Sequence, residues 1–223
     1  MFRFFLIVFL FSGVAKANDP LPKELEGIGI QENLGQKVSL DLSFKDETGS
    51  EVTLQKYFDG KKPVIVTLVY YGCPNLCTFL LNGFLETLNK MEWVVGNEFR
   101  VVTVTIDPDE EPKLAATKKE NYLKEYQKTE EQKKVARENW AFLTGREENI
   151  KKLADTLGFK YKYQTESKEY AHSAGIFILT PEGKISRSLH GIEFKPFDLK
   201  MALLEAGEGK IGTTIDRLVM FCF

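Results

Sequence analysis

The chain has 223 residues, 43% of them hydrophobic and 28% charged. That is globular composition with room for one medium domain; a disordered chain would be poorer in Phe, Tyr, Val and Ile. A net charge of −2 supplies no dominant basic field and argues against nucleic acid as a partner. Three cysteines are too few for a disulfide scaffold and two histidines too few for a His-rich metal site, so any metal centre must use cysteines.

Residues 1–17 read as a secretory signal peptide. Arg3 is a short positive start, Phe4 to Phe11 an unbroken apolar run, and Ala15-Lys16-Ala17 a small-x-small cleavage pattern. The run is far shorter than the roughly 20 apolar residues of a membrane span. The expected address is the periplasm or another oxidising extracytoplasmic space, where disulfides persist. Membrane association finds no support in a second apolar span. Residues 18–36, rich in Pro and Gly, read as an extended leader, residues 37–207 as the domain and residues 208–223 as a tail. Gly27-Ile28-Gly29 fails as a dinucleotide fingerprint because Glu stands at position 32.

Val38, Leu40, Leu42 and Phe44 alternate with polar residues and predict a half-buried strand. A turn at Asp46 to Gly49 returns the chain through Val52 to Leu54 as a hairpin. Val64 to Tyr70 is a continuous, β-branched run, the pattern of a central strand covered on both faces. Leu76, Leu80, Phe84, Leu88 and Met91 follow at helical spacing. Phe99 to Ile106 predicts a second buried strand, and Pro112 to about Arg137 a solvated helix or two. Trp140 to Leu143 is a short strand, Arg146 to Leu157 a helix with Gly158 at its C-terminal cap, and Phe159 to Tyr163 another strand. Gly175 to Leu179 and Lys184 to Leu189 flank Pro181-Glu182-Gly183 as a hairpin, and Phe197 to Leu204 closes the domain as a helix. This order predicts an α/β, thioredoxin-like fold of the glutaredoxin/peroxiredoxin type. A mixed central sheet is flanked by helices, with an N-terminal β-hairpin extension.

The chemistry concentrates in Cys73, Cys77 and His172. If Cys73 and Cys77 both stand on the first helical turn, with Pro74 at the first helical position, they share one face. Exposed N–H groups at the helix start then make both thiols easily ionised, a property that reactive thiols and good metal ligands share. In a thioredoxin-like fold, the segment carrying His172 passes beside that helix. Two soft sulfurs and one imidazole form a Cys2His set that selects Cu(I), with Zn(II) as competitor. A closed structural zinc site would want a fourth ligand, and none is evident.

Phe44-x-Asp46-Glu47-x-Gly49, the strand Val64 to Tyr70, Cys73-Pro-Asn-Leu-Cys77, Thr105-Ile106-Asp107-Pro108 and His172-Ser173-Ala174 together resemble the Sco/SenC family, from about Gly27 to Ala206. The Tyr-Tyr-x-Cys-Pro-x-Leu-Cys wording resembles a less studied branch of it. The resemblance implies a thioredoxin-like copper protein, with Cys73, Cys77 and His172 as the metal ligands. It implies copper as Cu(I), with Cu(II) a further possibility, and the CuA-bearing subunit of cytochrome c oxidase as partner. It departs from the family pattern at Asn75, where Asp is commoner, and at Ala171, where an Asp often precedes the histidine. Ala171 removes a carboxylate that could support Cu(II). Asp107 is the remaining nearby-acid candidate. Cys222 reads as a tail residue and His190 as structural or surface.

Two functions compete on these residues. The first is a periplasmic copper metallochaperone that passes Cu(I) to the CuA site by ligand exchange. The second is a thiol-disulfide oxidoreductase, with Cys73 attacking and Cys77 resolving, that could reduce the oxidase CuA-site cysteines. A copper donor or a thioredoxin-like reductase would serve the protein, which is expected to be a monomer. CxxxC in place of CxxC lowers the weight of the reductase reading. A peroxidase would want an activating Arg within the motif, and none is there. A redox- or copper-responsive signalling module is a further alternative.

Overall fold

The structure, a computed structural model, describes residues 27–212. The signal-peptide reading and Cys222 lie outside the described residues. Five strands form the central sheet: β4 (Val64–Val69), β5 (Arg100–Thr105), β6 (Trp140–Leu143), β9 (Gly175–Leu179) and β10 (Ile185–His190), in the order β10-β9-β4-β5-β6. β4, β5 and β6 run parallel, whereas β9 is antiparallel to β4 and to β10. The sheet is therefore mixed, as the thioredoxin-like reading requires. β4 is central because Val-Ile-Val-Thr-Leu-Val is apolar on both faces except at Thr67, whose hydroxyl is satisfied by Thr103, and all six are buried.

The helices cover the sheet. α1 (Leu76–Lys90) follows β4 and turns Leu80, Leu81, Phe84 and Leu88 inward. α2 (Pro112–Glu125) and α3 (Glu130–Asn139) pack on β6, and α5 (Pro196–Gly207) packs on β9 and β10. The polar stretch splits into two helices because Thr129 and Gln132 form a reciprocal capping box that starts α3. α4 (Glu147–Leu157) ends at Gly158, whose φ of 74° is left-handed. A side chain there would also meet the Gln31 carbonyl at 1.8 Å, so glycine is required twice over.

A buried polar stitch ties the three parallel strands. The Thr67 hydroxyl donates to Thr103 Oγ1 at 2.9 Å, and Trp140 Nε1–H donates to the same oxygen at 3.2 Å. The Tyr71 hydroxyl reaches the carbonyl oxygens of Thr103 and Leu143, at 3.1 and 2.8 Å. Tyr71 stands just past β4, so this stitch fixes the start of the cysteine loop.

Among the strands, the structure differs from the sequence reading in three places. Only Ser43–Lys45 of the predicted first strand is regular (β2), paired antiparallel with β3 (Glu51–Thr53) as the hairpin extension. Val38 and Leu42 still point inward, but from irregular backbone whose pairing is confined to single contacts, such as the antiparallel bridge of Lys37 to Lys184 and the bond from the Val38 N–H to the Gly183 carbonyl at 2.9 Å. Leu54 begins a 3-10 turn rather than ending a strand. Finally, β7 (Phe159–Gln164) is the middle of a separate sheet, between β1 (Gly29–Ile30) and β8 (Glu169–His172), in the order β1-β7-β8. Sequence reading did not find β1 or β8.

α1 carries Cys77 and is held by a close approach at Gly83, where a Cβ would lie 1.9 Å from the Ile192 carbonyl oxygen. Gly83→Ala should cost about 1–3 kcal/mol of stability, the range for forcing atoms into a packed contact. A urea midpoint unchanged from wild type would show that the chain around Ile192 yields freely.

Candidate metal centre

β4 stops at Val69, where the Ile106 N–H donates to the Val69 carbonyl at 2.7 Å and closes the ladder. The chain then crosses the carboxyl end of the sheet, the end at which α/β sheets place their sites. Cys73 lies in this crossing. Its N–H donates to the Tyr70 carbonyl at 3.2 Å. Pro74 is not the first helical residue, contrary to the sequence reading: α1 begins at Leu76 with Asn75 as its cap. The φ and ψ of Asn75, −124° and −98°, are far from helical, so the pair does not share one regular helical face. Cys77 is the second residue of the helix and Cys73 sits ahead of it.

That break brings the sulfurs together. A helix start leaves N–H groups without internal partners, and a polar side chain usually caps them. The Asn75 side chain does not do so. Instead, the Cys77 N–H donates to Cys73 Sγ at 3.4 Å, and the Tyr70 N–H donates to Cys77 Sγ at 3.3 Å. The Thr78 hydroxyl secures the crossing from behind, donating to the Cys73 carbonyl at 3.0 Å.

His172 arrives from β8, the strand missing from the sequence reading. Pairing of Tyr161 with His172 across β7 and β8 sets the register that aims the imidazole at the cysteines. Its Nδ1 lies 2.8 Å from the Ser173 carbonyl, and its Nε2 lies 3.1 Å from Cys77 Sγ. A carbonyl only accepts, so the proton belongs on Nδ1 and the lone pair of Nε2 faces the sulfur. Sγ of Cys73, Sγ of Cys77 and a ring nitrogen of His172 lie within 4.8 Å of one another, a grouping that could hold a metal ion. Relative exposures are 5%, 2% and 9%, so these groups sit just under the surface.

The two thiols are unequal, which corrects the expectation that both ionise easily. Burial pushes the Cys73 thiol up, but donation from the Tyr70 hydroxyl and from the N–H groups of Cys77 and Asn75 outweighs it, and the net shift is downward. Burial dominates at Cys77 and, with the neighbouring Cys73 charge, drives its thiol well up. Burial also holds the His172 imidazole below its usual range, against the opposing pull of the Ser173 carbonyl. The resting arrangement is therefore a Cys73 sulfur that ionises readily, a protonated Cys77 and a neutral imidazole.

Aromatic rings enclose the cluster. Tyr70 meets His172 edge-on with centroids 6.0 Å apart, Phe159 lies 5.9 Å from the imidazole, and Tyr170 packs on Tyr70 at 5.6 Å. The sequence reading found the three cluster residues. Asp107, the nearby-acid candidate of the sequence, stays outside that grouping. Asp107 is occupied in its own turn, where its carboxylate accepts the Asp109 N–H at 2.9 Å, and it does not join the cluster. Glu110 is the carboxylate that meets the cysteine loop. It accepts from the N–H of Tyr71 at 2.8 Å and from that of Gly72 at 2.5 Å. No spacing rule marks an acid that binds backbone, so only the folded chain reveals it. His190 is exposed and faces Glu32 at 3.7 Å, apart from the site.

The family model described as SCO1/SenC matches residues 31–203. The SCO1 protein homolog of Bacillus subtilis (strain 168) is 23% identical over 198 residues, covering 86% of this chain and 88% of its own. The crystal structure of Arabidopsis thaliana ScoI with copper bound is 19% identical, with a TM-score of 0.57 over 77% of this chain and 99% of that one. A structure reporting a disulfide switch in BsSco, a member of the Sco family of cytochrome c oxidase assembly proteins, is also 19% identical. Its TM-score is 0.58 over 80% of this chain and 96% of that one. The match spans the hairpin extension, the central sheet and all three cluster residues, and the chain belongs to the SCO1/SenC family.

Proposed function

We propose that the protein is a periplasmic copper metallochaperone that binds Cu(I) through Cys73, Cys77 and His172 and delivers it to the CuA site of cytochrome c oxidase. The convergence of two sulfurs and one imidazole nitrogen within 4.8 Å carries this reading. Two thiolates select a soft ion, and a neutral imidazole with its lone pair facing inward completes a three-ligand set. Three ligands leave the ion open to a partner's incoming sulfur, which suits a cargo rather than a resident metal. The copper-bound relative from Arabidopsis thaliana and the oxidase-assembly role stated for BsSco support the cargo and the partner. The apolar residues 4–11, followed by Ala15-Lys16-Ala17, support the periplasmic address. Ala171 and Asn75 supply no acid beside the site, which favours Cu(I) over Cu(II) as the bound form.

Loading draws most heavily on the proton of Cys77. Cys77 is the more firmly protonated thiol, so its proton has to leave as the ion binds, while Cys73 gives up its proton more easily and the neutral His172 has none to lose at Nε2. The reduced protein should bind one Cu(I) tightly against a competing chelator. Cys73→Ser and His172→Ala should each weaken that binding by roughly a hundredfold or more, beyond the loss typical of an outer partner. Absence of binding in the wild type would sink the copper assignment.

A second reading draws on the inequality of the thiols. An easily ionised Cys73 beside a buried, protonated Cys77 is the arrangement of an attacking and a resolving thiol. Such a pair can act as a thiol-disulfide oxidoreductase, including on the CuA-site cysteines of the oxidase. The disulfide switch described for BsSco favours keeping this reading beside the first. Iodoacetamide at pH 7.5 should label Cys73 ahead of Cys77, with peptide mass spectrometry as the readout. Equal labelling, or Cys77 first, would remove the basis for assigning the attacking role to Cys73.

A further inference from the structure

Glu110 lies in the turn between β5 and α2, and its carboxylate is filled by three donors. The Tyr71 N–H reaches Oε2 at 2.8 Å, the Gly72 N–H reaches Oε1 at 2.5 Å, and the Thr105 hydroxyl reaches Oε2 at 2.5 Å. The Thr105 hydroxyl in turn accepts the Asp107 N–H at 3.1 Å, which fixes the turn that presents Glu110. Tyr71 and Gly72 directly precede Cys73, so both oxygens of one side chain hold the backbone that carries the first sulfur. Gly72 leaves that approach open: a Cβ there would stand 3.2 Å from Glu110 Oε1.

We infer that Glu110 is a positioning residue for the copper site, whose two-oxygen grip on Tyr71 and Gly72 holds Cys73 and Cys77 as an open dithiol and resists their closure into a disulfide. The inference rests on the copper reading for its purpose. A disulfide needs the sulfurs at about 2.05 Å, well inside hydrogen-bonding separations. Cys77 is fixed on α1, so closure has to move the loop that Glu110 clamps. A metal ion, by contrast, uses the sulfurs near where they already stand. The clamp therefore favours loading over oxidation, two outcomes that consume the same pair of thiols.

The test is Glu110→Gln, which keeps the shape but leaves one oxygen to accept and sets an NH2 group against a backbone N–H. Disulfide formation is measured by equilibration with glutathione disulfide. In that exchange the Cys73 thiolate attacks a glutathione sulfur and displaces one glutathione thiolate. Cys77, its proton lost to solvent, then attacks the Cys73 sulfur and releases the second, so two electrons pass from the pair to glutathione disulfide. Glu110→Gln should raise the equilibrium constant for disulfide formation about tenfold and lower Cu(I) affinity about tenfold, the lower bound for an outer partner of a metal ligand. Leu203→Ala, a buried residue of α5, serves as a destabilised control and should move neither reading. The disulfide equilibrium decides. Loss of negative charge alone would favour the thiolates and shift it the other way. An unchanged equilibrium, a shift towards the dithiol, or a matching shift in the control overturns the clamp. If the wild type fails to take up Cu(I) while the equilibrium shifts as expected, the clamp stands and the copper reading falls.

Discussion

A chain that leaves a parallel strand to enter a helix must find acceptors for several backbone N–H groups at once, and the placement of both sulfurs of this site follows from how residues 70–73 find theirs. The four donors go in turn to Cys77 Sγ, to Glu110 Oε2, to Glu110 Oε1 and to the Tyr70 carbonyl. A fifth, from Cys77, goes to Cys73 Sγ. Buried backbone donors rarely stay unpaired, because each would lose its hydration without return. Here the obligation falls on a carboxylate and two sulfurs. The sulfurs that carry the chemistry are also structural acceptors, so the geometry of the site and the integrity of the loop are one property.

That double use explains why the thiols differ although they stand four residues apart. Cys73 Sγ takes the place of a capping oxygen at the helix start, with donors gathered around it, and gathered donors favour the charged form. Cys77 Sγ lies one layer deeper, with one backbone donor and a neighbouring negative charge, and keeps its proton. Regular helical placement of both, with Pro74 at the first turn, would have made them near equivalents. The departure at Asn75 separates them.

The parts of the molecule legible in the sequence are those where one physical rule acts alone. Val64 to Val69 reads as a central strand because burial on both faces admits only apolar or small residues. Gly158 reads as a helix end because a left-handed residue is needed there. Cys73, Cys77 and His172 read as a site from residue type, and the fold brings them together. The features that escaped depend on partners distant in the chain. Val38 to Phe44 alternates as a strand does, yet only its end forms a ladder, with β3, while the rest makes isolated backbone bonds to residues 54, 55 and 183. β8 is four residues, Glu-Tyr-Ala-His, with one apolar alternation too few to register, and it exists because β7 supplies its ladder. Glu110 pairs with backbone, which has no sequence signature.

The missed strand matters for the chemistry as much as for the topology. β8 ends at His172, and the next residue, Ser173, turns its carbonyl back onto Nδ1. The strand end thus fixes the tautomer, and the tautomer leaves Nε2 as a lone pair aimed at Cys77. Burial among Phe159 and Tyr70 keeps the ring neutral below the ordinary histidine range, so the nitrogen stays ready as a ligand when the surroundings turn mildly acidic. Proton uptake by His172 is then the lesser obstacle to loading. The greater one is the proton on Cys77, held there by burial and by the charge on Cys73. A soft ion, if bound, would be held by Cys73 and Cys77 through sulfur and by His172 through Nε2, and its charge would ease the loss of the Cys77 proton to solvent. The inequality of Cys73 and Cys77 is written into the same hydrogen bonds that close the loop.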